Sequence, residues 1–170
     1  MEDVCAKLCS RGVKAGRYHA QMEPEDRVRS QKRWHTNVTN VIVATVAFGM
    51  GINKLDVRFV IHHSLSKSVE NYYQETGRAG RDSKHAHCIL LYKFSDVFRA
   101  SAIMFAERNG PQNVYRMLRY CLDTTSCRKQ MLASHFGDQW DPSLCTDMCD
   151  NCSCSAPQQK IDVSDLLKVN

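Results

Sequence analysis

The feature that most restricts the fold is an unbroken apolar run. Residues 41–46 are Val-Ile-Val-Ala-Thr-Val, with β-branched side chains on both faces, and residues 57–62 have a similar pattern. Because successive side chains of a strand point to opposite faces, a strand that is apolar on both faces needs cover on both. Such strands are typical of parallel sheets between layers of helices. The run therefore predicts an α/β fold.

The remaining elements divide the chain into a sheet-forming part and a helical part. Strands are predicted at residues 13–19, 41–46, 57–62 and 86–92. Helices are predicted at residues 3–10, from Pro24 through Trp34, and from about Ser66. The last of these helices has Val69, Tyr72 and Tyr73 on its apolar face. Helical stripes follow at Val97, Phe98, Ala102 and Phe105, and at Val114, Met117, Leu118, Cys121 and Leu122, with another helix near Thr125. We expect a sheet domain at 1–94, a helical unit at 95–153 and a linker from 154 to 170.

Two arginines stand out in the stretch at residues 74–82, Gln-Glu-Thr-Gly-Arg-Ala-Gly-Arg-Asp. If the preceding helix continues, Gln74, Arg78 and Arg81 share one face. The intervening glycines would let a ligand approach, and arginine forks pair with phosphoryl oxygens, so this stretch suits a triphosphate. The alternative is a helix end with arginines on its dipole and glycines as caps.

A second candidate stretch follows the apolar run at residues 44–54, with glycines at 49 and 51 and Lys54 near its end. Ligands in open α/β sheets bind beyond the carboxyl ends of strands, so a phosphate or nucleic-acid backbone could approach here. Taken singly, however, Phe48 and Met50 could be core residues and Lys54 a surface lysine.

Cysteine spacing indicates a metal site. Cys145, Cys149 and Cys152 lie in a polar, turn-rich segment, and Cys127 comes from a preceding helix. Four thiolates can hold zinc tetrahedrally, and a closed set of four protein ligands makes zinc structural. Cys154 and, more weakly, His135 compete for the fourth position. A redox pair and incidental free thiols are the alternatives. The remaining histidine pairs lack clustered ligands and are expected to be structural or surface groups: His62, His63, His85 and His87.

The distribution of charge and the length of the apolar runs limit which partners the chain can bind. Residues 1–100 carry 16 Lys and Arg against 10 Asp and Glu, which directs the search for phosphate to this half. No apolar run is long enough for a membrane helix and no signal peptide is evident, so we expect no membrane association. Nine cysteines cannot all pair internally, which favours thiols or metal ligands.

These stretches, in this order, resemble the RecQ family of ATP-dependent DNA helicases, most closely its short members. Tyr18-His19-Ala20 with Arg27 and Gln31 is similar to the family's fourth helicase motif. Residues 44–54 are similar to motif five, residues 74–82 to motif six, and the four cysteines to the zinc subdomain. The similarity extends from about residue 5 to residue 152.

The resemblance implies an incomplete second RecA-like lobe, a helical zinc subdomain and, after the linker, the first residues of a winged-helix domain. Arg81 would be the arginine finger, with Arg78 beside it and Gln74 contacting nucleotide. Coupling between nucleotide and DNA would involve Thr45, Gly49, Gly51, Asn53 and Lys54, and DNA contact His19 and Arg27. The expected function is part of a three-prime to five-prime helicase acting on single strands and duplex junctions in repair, recombination and replication, in the nucleus.

The chain lacks a G-x-x-x-x-G-K-[ST] loop and an Asp-Glu-x-His box, so the phosphate and magnesium machinery of the first lobe is missing. We therefore expect no ATP hydrolysis by this chain alone; ATP and magnesium would bind only with a first helicase lobe. We also expect an unfilled strand position in the sheet. The alternative function is a non-catalytic, zinc-bearing module, a truncated isoform that binds DNA or a protein.

Overall fold

A computed structural model describes residues 1–49 and 53–153. Its helices are α1 (Glu2–Ser10), α2 (Pro24–His35), α3 (Val69–Thr76), α4 (Ser95–Met104), α5 (Gly110–Leu122) and α6 (Arg128–His135). Its strands are β1 (Ala15–Tyr18), β2 (Val41–Ala44), β3 (Phe59–His62) and β4 (His87–Leu90), and short 3-10 turns cover Val46–Gly49 and Pro142–Cys145. Across the described residues, no helix has both the length and the apolar character needed to cross a membrane.

The strands form two separate parallel pairs. β1 pairs with β2, aligning Ala15 with Val41, and β3 pairs with β4, aligning Phe59 with His87. Parallel pairing confirms the α/β expectation, although every strand is shorter than predicted. Each strand has four residues and, among the described residues, a hydrogen-bonded neighbour on one side only. The two pairs are not joined into the single sheet that the sequence suggested.

The prediction that the 57–62 strand is covered on both faces is wrong. Phe59 and Ile61 are each more than half exposed, and Ile89, which is aligned with Ile61, shares their face. The opposite face is covered from α3, where His62 packs against Tyr72 with ring centroids 4.9 Å apart. The apolar alternation therefore marks one buried face and one open face.

The first core is built around Trp34. Its indole meets Phe48 edge-on at 5.2 Å, and Phe48 in turn contacts Tyr18 at 4.7 Å. Ile42, Ala44 and Val57 pack around this pair. Trp34 thus anchors α2, as the sequence predicted, because the opposite side of α2 is polar and exposed. Helices α1 and α2 both pack on β1.

The chain divides into two compact units. The first comprises Met1–His62 and Tyr72–Leu91, and the second comprises His63–Asn71 and the chain from Tyr92 onward, so α3 contributes residues to both. Within the second unit, Glu70 of α3 accepts a hydrogen bond from His135 of α6 at 2.6 Å. The hydroxyl of Ser68 bonds the same carboxylate; together with His135 it lowers the pKa of Glu70 to about 2.

The second unit buries part of the set of side chains predicted. Met117 is enclosed, as its place on the α5 stripe predicts, and so is Met104, which the α4 stripe did not include, whereas Phe98, Phe105 and Leu122 are largely exposed. The prediction from the helical stripes assumed that every apolar residue faces inward. In the structure, burial depends on where α4 and α5 pack together, which is at the end of α4, beside Met104. A Cβ at position 110 would collide with the Met104 carbonyl, so only glycine fits this approach.

Replacing Trp34 with alanine is expected to destabilise the first unit by about 3–5 kcal/mol, because it empties the space against Phe48 and Ile42. Urea unfolding followed by circular dichroism measures the change. Val28→Ala on the same helix is the control, since Val28 is 66% exposed and should change the unfolding free energy little. Equal effects of the two substitutions would contradict this core.

Candidate functional site

The arginine stretch is a tight turn and does not continue the helix. α3 ends at Thr76, and residues 77–82 form successive turns in which Ala79 N–H donates to Thr76 O. Gly80 adopts a positive φ of 64°, and a Cβ there would lie 2.9 Å from Lys84 O. Helical spacing therefore does not align Gln74, Arg78 and Arg81, and that premise of the sequence analysis is wrong. Glycine suits position 80 because it has no Cβ to meet Lys84 O and tolerates a left-handed backbone.

Arg78 and Arg81 both lie in this turn, three residues apart. Arg78 is half-buried, Arg81 is exposed, and Gln74 is exposed on the last turn of α3. Burial lowers the pKa of Arg78, the Arg81 charge lowers it further, and the Glu75 carboxylate opposes both. Two cations that repel each other in this way form a local positive site that an anion would stabilise.

Arg58, which the sequence analysis did not select, holds the turn against β3. Its guanidinium donates to Asp82 Oδ1 at 2.5 Å and to the His85 carbonyl at 2.9 Å. The bond from Arg58 lowers the pKa of the Asp82 carboxyl, and Gly80 N–H donates to Val57 O. No local spacing pattern marks Arg58 in the sequence, because its partner Asp82 lies 24 residues further along the chain.

The stretch predicted to couple nucleotide and DNA lies beyond β2. Thr45 is exposed directly after the strand, and its N–H donates to Tyr18 O at 3.2 Å. Gly49 ends the 3-10 turn, and Asn53 is exposed. Gly51 and Met50 lie outside the described residues.

Lys54 is neither a surface lysine nor an exposed contact. It is 8% exposed, and its ammonium lies 2.7 Å from Asp56 Oδ1 and 2.8 Å from Asn37 Oδ1, with the Trp34 ring 5.5 Å away. The bond from Lys54 lowers the pKa of Asp56. The structure therefore gives Lys54 a packing role beside the Trp34 core, and the coupling role assigned from the resemblance has no support in these contacts.

The two predicted DNA-contacting residues lie directly after β1 and in α2. His19 follows the strand and is mostly buried; its Nε2 lies 3.8 Å from the Glu2 carboxylate but makes no hydrogen bond. Arg27 is half-buried on the first turns of α2, where its N–H donates to Glu23 O. In the described part of the chain, neither side chain makes a hydrogen bond that would give it a structural role.

Four cysteines converge in the second unit as the sequence predicted. The sulfurs of Cys127, Cys145, Cys149 and Cys152 all lie within 4.8 Å of one another. Tetrahedral zinc with Zn–S bonds of about 2.3 Å places its sulfurs about 3.8 Å apart, so the set fits zinc. Cys145 is completely buried and Cys127 nearly so. With four thiol ligands and no open position, such an ion would be structural.

Three thiols of this cluster have shifted pKa values, and the shifts differ in direction. Burial raises the pKa of Cys145, and the hydrogen bond with Cys149 raises that of Cys152. Burial acts in the same direction on Cys149, but the Arg128 backbone N–H and the Cys152 thiol outweigh it and lower the pKa of Cys149 to about 7. Cys149 is therefore the thiol of this set that ionises first, which is the step that metal binding requires.

Arg128 joins the two segments that carry the cysteines. Its guanidinium donates to both carboxylate oxygens of Asp150, at 2.9 and 2.8 Å, and to Asn151 Oδ1 at 3.3 Å. Asn151 in turn donates to the carbonyls of Asp123 and Ser126. This clasp fixes Cys127, the N-cap of α6, relative to the loop at residues 149–152. Bidentate pairing gives it a defined geometry.

The two competing ligands have different outcomes. His135 is bonded to Glu70, and Cys154 lies outside the described residues. In the described part of the chain, the four cysteines are the group of metal-ligand side chains close enough to share an ion. His62 bonds Glu75, and the rings of His85 and His87 meet edge-on at a centroid distance of 4.6 Å.

Removing the clasp is expected to weaken metal retention without removing a ligand. Arg128→Gln should lower zinc affinity by about 10–100-fold, the range for partners that orient metal ligands, while Cys149→Ser should abolish stoichiometric zinc. Competition with a chromophoric chelator measures both. Arg116→Gln, an exposed change on α5, is the control. Wild-type affinity in the Arg128 variant would contradict the clasp.

Two family models match the chain. Residues 1–83 match the helicase conserved C-terminal domain, and residues 94–153 match the RecQ zinc-binding family. The first match contains the arginine turn, and the second contains all four clustered cysteines.

Curated relatives are similar over nearly the whole chain. The rat protein "ATP-dependent DNA helicase Q1" is 55% identical over 151 residues, covering 89% of this chain and 24% of that protein. "ATP-dependent DNA helicase Q-like 2" of Arabidopsis thaliana is 52% identical over 169 residues, covering 99% of this chain and 24% of that protein. The chain thus spans about a quarter of these relatives' length.

Solved structures support the fold. The E. coli DEAD-box protein SrmB, in a crystal structure with regulator of ribonuclease activity A, superposes with a TM-score of 0.53 at 23% identity, covering 61% of each chain. At this identity the likeness concerns architecture alone. It confirms a RecA-like C-terminal helicase fold for the first part of the chain.

Proposed function

The chain belongs to the RecQ helicase family as its C-terminal helicase and zinc-binding region, and on that premise we propose that it supplies the arginine site and a zinc platform to an ATP-driven DNA helicase. The observation that carries this proposal is the arginine turn. Arg78 and Arg81 lie three residues apart in one turn, on a backbone that Gly80 and the Arg58–Asp82 bond hold in place. A preformed pair of cations suits a nucleotide phosphate.

Arg81 is the arginine finger in this proposal. It is the more exposed of the two guanidiniums, so it can reach a nucleotide held by another lobe, and its Nε–H donates to Gly77 O at 3.1 Å. Charge develops on the phosphoryl oxygens during transfer, and an arginine that meets it lowers the barrier. Arg78 stands beside it, and Gln74 contacts the nucleotide. A first helicase lobe would supply the phosphate loop and the magnesium ligands.

Zinc is held by Cys127, Cys145, Cys149 and Cys152. The proximity of the sulfurs and the Arg128 clasp support this ligand set. The ion would hold the end of α5, the start of α6 and the loop at 149–152 as one body, in a segment with few enclosed apolar side chains.

DNA is the proposed macromolecular partner, bound as a single strand next to a duplex junction. The charge excess of residues 1–100 supports it, as does the position of His19, Thr45 and Gly49 beyond the carboxyl ends of β1 and β2. Arg27 would contact a phosphate, and Asn53 with Gly51 would couple DNA to nucleotide. Translocation would run three-prime to five-prime, in the nucleus, during repair, recombination and replication.

Fusion to a first helicase lobe tests this function. The chain is joined behind the first lobe of the rat helicase Q1, and ATP hydrolysis is measured with and without single-stranded DNA. We expect DNA-stimulated hydrolysis by the fusion and none by the chain alone. Arg81→Ala should lower kcat of the fusion by about a thousandfold or more, as for other arginine fingers.

Arg29→Ala is the matched control, because Arg29 is an exposed arginine of the same unit whose partner is Asp26. It should leave kcat unchanged. A folded, zinc-loaded fusion that hydrolyses no ATP would refute the catalytic proposal and favour the non-catalytic binding module.

A further inference from the structure

Arg81, the residue proposed as the arginine finger, lies between two residues that are both bonded to one short segment. Gly80 N–H donates to Val57 O at 3.0 Å, and Asp82 Oδ1 accepts from the Arg58 guanidinium at 2.5 Å. Val57 and Arg58 are consecutive, and they directly precede β3. Two adjacent residues of the chain therefore bond the residues on either side of Arg81.

The Arg58 guanidinium makes several bonds, and they reach different segments of the chain. Besides Asp82, it donates to the His85 carbonyl at 2.9 Å. A longer bond of 3.4 Å joins its Nε to the Asp56 carbonyl. The donors of an arginine form a rigid, planar fork, so they define the direction of their partners as well as the distance. Because Asp82 and His85 flank the end of the turn, Arg58 holds that end in one orientation.

The Arg58–Asp82 pair is partly enclosed and shares its acceptor. Side-chain exposure is 33% for Arg58 and 20% for Asp82. Asp82 Oδ1 also accepts from the Lys84 N–H at 3.2 Å, which ties the carboxylate to the backbone that follows it. Water screens such a pair less than an exposed pair, which holds its partners weakly. The Arg29–Asp26 pair of α2 is of the exposed kind.

An arginine finger works only where it meets the charge that develops on the phosphoryl oxygens. A displacement of about 1 Å at a reacting centre can cost on the order of a hundredfold in rate. The Arg81 Nε–H donates to Gly77 O at 3.1 Å, within the same turn. The guanidinium therefore follows the backbone of the turn, and whatever fixes that backbone fixes the finger.

We propose that Arg58 is a positioning residue for the arginine finger: through Asp82, it holds the turn that carries Arg81 in the orientation that phosphoryl transfer requires. The inference rests on the proposed function for its catalytic consequence, whereas its structural part concerns this chain alone. Arg58 touches no reacting atom and acts through the residue next to Arg81. The segment that leads into β3 is thereby part of what sets the catalytic geometry.

The first test uses the chain without a first lobe. Arg58→Gln removes the charge and the fork, and nitrogen-15 NMR follows the Arg81 Nε–Hε group and the Gly80 amide. We expect both signals to shift and the Gly80 N–H to exchange faster with water, because the bonds on either side of Arg81 loosen. Arg29→Gln is the matched control, since it removes the exposed arginine–aspartate pair of the same unit, and it should leave both signals unchanged.

Wild-type signals in a folded Arg58→Gln chain would overturn the inference, whatever the activity of the enzyme. Asp82→Asn is the second variant, because it removes the charge of the acceptor and keeps its volume. It should shift the same two signals in the same direction. Loss of the fold in both variants, measured by circular dichroism, would show that the pair is merely structural and would also overturn the inference.

The two-lobe fusion measures the catalytic consequence. Arg58→Gln should lower kcat by about ten- to a hundredfold and change KM for ATP by less than about twofold, because the finger acts on charge that develops after ATP is bound. Rates are expressed per folded, zinc-loaded molecule. An unchanged kcat per folded molecule would indicate a merely structural pair and contradict the positioning role. Arg29→Gln should leave both constants unchanged.

A double-mutant cycle decides whether Arg58 acts through Arg81. In the Arg81→Ala background, Arg58→Gln should lower kcat no further, since the residue that it positions is already absent. A second loss of the same size would overturn the inference, because Arg58 would then act elsewhere. A fusion that is inactive with both wild-type arginines would refute the proposed function and leave the NMR result to decide the structural part.

Discussion

The parallel pairing of short strands is the constraint on which the candidate site depends. Because β1 and β2 run in the same direction, as do β3 and β4, the chain must cross over between paired strands, and the segments that leave the carboxyl ends are the ones free to carry function. Thr45 leaves β2, and His62 ends β3 before α3 and the arginine turn begin. The core around Trp34 and the Arg58 bonds then hold these segments.

The two units are stabilised by different kinds of contact. The first packs helices α1 and α2 on β1 and encloses Trp34 and Phe48. The second encloses Met104 and Met117 between α4 and α5, and beyond α5 its order depends on polar bonds. There Arg128 joins residues that are 22 positions apart, and four thiols gather where an apolar core is absent. Metal binding in such a segment contributes directly to folding.

Two charged side chains of the first unit are enclosed beside specific partners. Lys54 lies against Trp34 between Asn37 and Asp56, and Glu75 lies against His62. Such partners offset the cost of removing a charge from water. Lys54 therefore supports packing beside the Trp34 core.

The sequence by itself determined the features that depend on local spacing and side-chain chemistry. An apolar run predicted parallel strands, Pro24 and Trp34 predicted α2, and the cysteine spacing predicted a cluster whose sulfurs the structure brings together. The spacing of thiols is informative because few other arrangements satisfy a tetrahedral metal.

The tertiary structure decided what depends on distant partners. Helical periodicity extended α3 to Arg81, but α3 ends at Thr76, and position 80 accepts only glycine because a Cβ there would meet the Lys84 carbonyl. Sequence patterns treated Phe59, Ile61 and Phe98 as core, yet which apolar face is buried depends on what packs against it. Arg58, Arg128 and the His62–Glu75 pair had no signal either, since their partners lie 13 to 24 residues away along the chain. Only the folded chain brings such partners together, and hydrogen-bond geometry over a few ångströms then gives each residue its role.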